Sequence, residues 1–192
     1  LEVETTDVSN PSQGWQWPEP FRVKAADGQT DLYGALFKPS DFDPTKTYPV
    51  LNYIASGPWI YVTPKGSFHS AKDAYHSMRH FFYGAALAEL GCIVMFLDSR
   101  GTPMRSKAFQ DESYGWVPSA ANTEDHAKAI NQLTAFHAYM DKERVGIYSA
   151  GYRGGLQNFL ERPDIYKICV QAGLLDDRLT VAFLSEKYEG RA

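Results

Sequence analysis

The chain has 192 residues, 44% of them hydrophobic and 22% charged, which is enough for one soluble-type globular domain with a real core. A net charge of -4 without clustered Lys and Arg argues against a nucleic-acid partner. The longest unbroken apolar run, Cys92 to Leu97, is far shorter than the ~20 residues a membrane span needs. Two cysteines, Cys92 and Cys169, read as reduced, buried thiols, and no cofactor or metal set is evident. A start at Leu1 with no leader signature leads us to expect a processed or excised piece.

Residues 1–20 read as an irregular lead-in whose tryptophans, Trp15 and Trp17, anchor it to the surface of the domain spanning 21–192. Phe21 to Ala26, an Asp27-Gly28 turn, and Asp31 to Lys38 predict an antiparallel strand pair. Four apolar runs follow: Pro49 to Ala55, Cys92 to Leu97, Arg144 to Tyr148, and Lys167 to Gly173. Runs without polar alternation suit strands covered on both faces, as in a parallel sheet.

Between them, Tyr75, Met78, Phe82, Ala86 and Leu90 recur at helical spacing. So do Ala127, Ile130, Leu133, His137 and Met140, after Asn122 as N-cap. A shorter helix runs from about Gly154 to Arg162, stopped by Pro163. The fold class is therefore α/β, a mainly parallel sheet with helices on both faces.

In such sheets ligands bind at the carboxyl ends of the strands. Three ends stand out: Ala55-Ser56-Gly57-Pro58, Asp98 to Pro103, and the Gly-rich stretch Tyr148 to Gly155. The last runs from strand into helix, the setting of a nucleophile elbow.

Here the sequence resembles a known family. Trp17 to Phe21, Ala86 to Gly91, Arg100-Gly101-Thr102-Pro103, Arg144 to Tyr148, Arg162-Pro163-Asp164 and Ala172-Gly173 follow one another in the order of a dipeptidyl-peptidase-IV-like catalytic domain of the prolyl oligopeptidase family. The resemblance implies an α/β-hydrolase-like fold, a Ser-Asp-His triad and a peptide or other small ligand in the pocket. It also implies that the last strands of the family fold are missing.

Three features depart from a working hydrolase. No serine satisfies Gly-x-Ser-x-Gly, the spacing that relieves crowding at an elbow. One alignment puts the nucleophile position on Gly151, the other on Ser149, with Ala150 and Tyr152 beside them in the pocket. The family's oxyanion Tyr falls on Ala55. The triad order is Ser, acid, His, yet the last histidine is His137, upstream of any elbow.

The expectation is therefore a serine-peptidase-type domain that is inactive by itself. Its rivals are a non-catalytic binding or scaffolding module, or a hydrolase completed by another segment or chain. The remaining candidates are assigned bland roles: His76 and His80 as solvated or partly buried residues, His126 on a helix surface, His137 at the core edge, and Asp98 and Arg100 as loop-fixing groups. An apolar edge strand at 167–173 predicts self-association.

Overall fold

A computed structural model describes residues 16–55, 58–63, 74–115, 121–152 and 154–175. Six strands, β1 (Glu19–Lys24), β2 (Asp31–Phe37), β3 (Tyr48–Ile54), β4 (Ile93–Asp98), β5 (Met140–Tyr152) and β6 (Tyr166–Leu175), form one sheet in the order β1-β2-β4-β3-β5-β6. The β1–β2 and β2–β4 pairs are antiparallel, and the other three are parallel. Helix α1 (Ala74–Ala88) packs on β2 and β4, and α3 (Thr123–Phe136) and α4 (Gly154–Glu161) pack against β1, β5 and β6; α2 (Lys107–Gln110) is a single turn. This is the α/β-hydrolase-like architecture expected from the sequence.

β4 shows why the sheet must be covered on both sides. All six of its residues are buried. Ile93, Met95 and Leu97 join the core that includes Ala127, Ile130 and Leu133 of α3, whereas Val94 and Phe96 join Phe81 and Ala88 of α1. Alternate side chains thus feed two cores, and an unbroken apolar run is what that requires.

Local chemistry sets the boundaries. Asn122 Oδ1 accepts a hydrogen bond from Asp125 N (3.1 Å) and opens α3, as its position predicts. Beyond α1, Gly91 adopts φ +83°, and its N–H bonds to Ala88 O. In the β1–β2 turn, Asp27 accepts from Gln29 N, Thr30 N and Thr30 Oγ1, which push its carboxyl down to about 2.

Several elements differ from the sequence reading. β1 opens at Glu19, inside the stretch read as lead-in, because Glu19 and Pro20 pair with Leu36 and Ala35. Trp17 lies half-exposed against Phe81 (6.2 Å between ring centroids), and Trp15 lies outside the described residues. α3 stops at Phe136, so His137 caps it and Met140 begins β5. β5 is far longer than Arg144 to Tyr148, since β3 and β6 flank it and hold it extended through Tyr152. Both cysteines are free thiols; Cys92 is buried, which pushes it up to about 11, and Cys169 is only half-buried.

Candidate functional site

The carboxyl ends of β3, β4 and β5 meet at one rim of the sheet, and the candidate residues fall there or just beneath it. Ser149 is beneath it. It lies inside β5, paired with Ile54 on one side and Gln171 on the other, and is fully buried. Its Oγ forms no hydrogen bond among the described residues.

The first turn of α4 rests directly on this serine. A Cβ added at Gly155 would lie 2.2 Å from Ser149 Cβ and 2.5 Å from its Oγ. Glycine at 155 is therefore what lets the helix descend onto the strand. An elbow nucleophile sits instead on a strained turn with its hydroxyl raised clear of the sheet. Among the described residues, Met104 (φ 71°) is the only non-glycine with positive φ, so Ser149 has ordinary strand backbone.

Gly151 and Tyr152 also continue the strand, opposite Leu174 and Leu175, and Gly151 is not among the positive-φ glycines. The side chains of Ala150 and Tyr152 lie outside the described residues, as do Ser56, Gly57 and Arg153.

Ala55 follows β3, nearly buried against the α1-side core. It lines a small cavity with Val62, Asp98, Thr102 and His126. An alanine side chain brings no hydroxyl to that cavity. The nearest tyrosine along the strand does not replace it: Tyr53 OH bonds to His80 Nδ1 (2.8 Å), and its ring stacks on Tyr148 (centroids 5.7 Å, 16° between planes).

His80, read from the sequence as solvated or partly buried, is on the buried side of that reading and goes further, only 1% exposed between α1 and β3. The side chain of His76 lies outside the described residues.

His126 corrects its sequence reading. It is 2% exposed, not on a helix surface, because the first turn of α3 faces the sheet. Its Nδ1 lies 3.1 Å from Asn52 Oδ1, while Asn52 Nδ2 donates to Tyr166 OH (2.9 Å). A carbonyl oxygen only accepts, so Nδ1 carries the proton and Nε2 the lone pair. Burial pushes the imidazole down to about 4 and pushes the Tyr166 phenol up, so both are neutral near pH 7. Asn52, a polar residue inside the apolar run Pro49 to Ala55, was the one sequence signal for this network.

Asp98 and Arg100 do fix loops. Asp98 Oδ1 accepts from Val62 N (2.7 Å) and Thr63 N (3.3 Å), tying the segment after β3 to the end of β4. Arg100 forks onto the fully buried Asp125, Nε and Nη2 each reaching it within 3.0 Å, and these bonds raise the guanidinium's pKa. Asp125 also accepts from Ala26 N and Arg100 N, so one carboxylate joins the β1–β2 turn, the loop after β4 and α3. His137 is half-buried at the core edge beside Tyr139. Among the described residues no three His, Cys, Asp or Glu are grouped to hold a metal ion, and no helix is long and apolar enough to cross a membrane.

A mainly parallel sheet, helices on both faces and a strand-to-helix junction over the candidate serine define an α/β-hydrolase-like domain. The chain belongs to the prolyl oligopeptidase family, whose model matches residues 79–191. It is 28% identical over 166 residues to dipeptidyl peptidase 8 of mouse and of human, covering 85% of this chain and 17% of each relative. Mouse prolyl endopeptidase FAP is 24% identical over 151 residues, covering 79% of this chain and 18% of that protein. A crystal structure of a candidate dipeptidyl aminopeptidase IV from Bacteroides ovatus superimposes with a TM-score of 0.73 at 30% identity, covering 94% of this chain and 25% of the other. The chain thus spans less than a fifth of the length of these curated relatives.

Proposed function

We propose that this stretch carries the hydrolase fold of its family without a working nucleophile, and that its pocket holds a peptide or small ligand without cleaving it. The observation that carries this reading is the burial of Ser149. Nucleophilic catalysis needs the attacking oxygen within hydrogen-bond reach of a base and in contact with the substrate carbonyl. Ser149 Oγ instead faces Gly155 under α4, with no hydrogen-bond partner among the described residues.

Ala55, just past the end of the neighbouring strand β3 at the same rim, supports the same conclusion. Removing one oxyanion-hole donor costs roughly 3 to 4 kcal/mol of transition-state stabilisation, and a methyl group cannot donate. The peptide class of the ligand is suggested by relatives that are named as dipeptidyl peptidases.

Labelling with a fluorophosphonate, followed by peptide mapping, tests the reading. Ser149 is expected to stay unlabelled while the folded chain gives a normal circular dichroism spectrum. Stoichiometric label on Ser149 would overturn it and favour a hydrolase whose acid and histidine come from another segment or a second chain.

A further inference from the structure

His126 keeps one hydrogen-bonding atom in reserve. Its ring is 2% exposed, and Asn52 Oδ1 engages Nδ1, which fixes the proton there and leaves a lone pair on Nε2. No described residue donates to that lone pair. Leaving a buried acceptor without a donor is costly, and folded proteins almost always supply one, from the chain or from ordered water.

The same imidazole lines a small cavity where the ends of β3 and β4, the segment after β3 and the first turn of α3 converge. Asp98, Ser99 and Thr102, all buried, line it too. Where their hydrogens can be followed, these side chains offer acceptors. Asp98 Oδ1 takes the N–H of Val62 and of Thr63. Thr102 Oγ1 gives its hydrogen to Ser99 O (2.8 Å), which leaves it only lone pairs. A ligand here must therefore bring hydrogens. It must also be small, for the cavity offers about 10 Å³ to a water-sized sphere, room for about one such molecule.

We infer that this cavity is a binding site for one water molecule, which donates a hydrogen bond to His126 Nε2 and so joins α3 to the ends of β3 and β4. Water has two hydrogens to give and carries no charge. Ammonium is of similar size and also donates, but its charge would leave bulk solvent for walls that include Ile54, Ala55, Leu97 and Ala121. The one acidic side chain of the lining, Asp98, is already engaged by two amides. β3 and β4 are the central strands, so the site is remote from both edges of the sheet and from whatever lies beyond β6. It is equally independent of whether Ser149 reacts.

Water-selective NOESY and ROESY spectra of the isotope-labelled full chain, read at the methyls of Ala55 and Ala121, test this. Cross-peaks at the water frequency, opposite in sign between the two experiments, are expected at both methyls, as for a water held longer than nanoseconds. A long-range proton–nitrogen correlation at neutral pH is expected to show Nδ1 protonated and Nε2 bare. His126→Leu, which removes the lone pair, is expected to lose the methyl cross-peaks. Ser99→Ala and Thr102→Val, which remove hydroxyls able to relay exchange, are expected to keep them.

The parent chain decides the matter even where a variant fails to fold. Methyls without a cross-peak at the water frequency would overturn the inference, as would a proton found on Nε2. So would cross-peaks that vanish in Ser99→Ala or Thr102→Val, or that survive in His126→Leu. A bound-ammonium signal on adding nitrogen-labelled ammonium chloride would replace water by the cation and overturn it as well.

Discussion

Gly155 and Ser149 occupy each other's space: the Cα of one residue leaves just enough room for the hydroxymethyl group of the other, and a Cβ at 155 would come within 2.2 Å of Ser149 Cβ. Gly155→Ala should therefore push α4 off the sheet. Overpacking of this kind costs about 1 to 3 kcal/mol, read as a lower urea midpoint at unchanged m-value. Ser149→Gly in the same chain should restore most of the loss, whereas Ser149→Ala should not, because the Cβ contact is the closer one. A double-mutant cycle with no coupling between positions 149 and 155 would contradict this packing.

The Arg100–Asp125 pair makes a different prediction. Asp125 is fully buried and accepts from two backbone amides as well as the guanidinium. Asp125→Ala leaves Arg100 and the N–H of Ala26 without their main acceptor, a change that typically costs about 3 to 5 kcal/mol. Arg100→Lys keeps the charge but not the planar fork, and should fall between wild type and Asp125→Ala in denaturant unfolding.

His126 gives the fold a pH dependence of known sign. Its pKa is about 4 in the folded chain, against 6.5 for an unperturbed imidazole. The unfolded chain therefore binds the proton more readily, so the contribution is intact above about pH 6.5 and is lost as pH falls toward 4. The whole step is worth roughly 3 kcal/mol. Unfolding free energies measured from pH 7 to 4 should fall less steeply in His126→Gln than in the parent chain.

Met104 holds φ 71° while 65% exposed, a left-handed conformation that disfavours any side chain. Met104→Gly should raise stability by about 0.5 to 1 kcal/mol, since the native φ is one that glycine adopts without strain. A lower melting temperature for this variant would mean that the side chain contributes more in packing than its backbone costs.

Much of the scaffold is legible in short stretches of sequence, because the forces that shape it act over a few residues. The run Cys92 to Leu97 marks a doubly covered strand, and Asn122 marks a helix start, since both signals are local. The site was less legible. His126 is buried by its bond to Asn52, 74 positions away, and no helical pattern reports such a partner. Ser149 looks like a strand end in a Gly-rich stretch, yet Ile54 and Gln171 flank it and draw it into the sheet. The lower end of β5 was missed for a similar reason: Met140 fits a helical spacing with Leu133, but it pairs with Tyr48.

The strand order carries a consequence for synthesis on the ribosome. β3 lies between β4 and β5, and β5 begins at Met140, long after β3 ends at Ile54. Roughly ninety residues must emerge between them, on the order of ten seconds of translation. During that interval Val50, Asn52 and Tyr53, all buried in the finished sheet, have no β5 beside them. Nascent chains paused before residue 140 should accordingly depend more on chaperones than chains in which β5 has emerged to pair with β3.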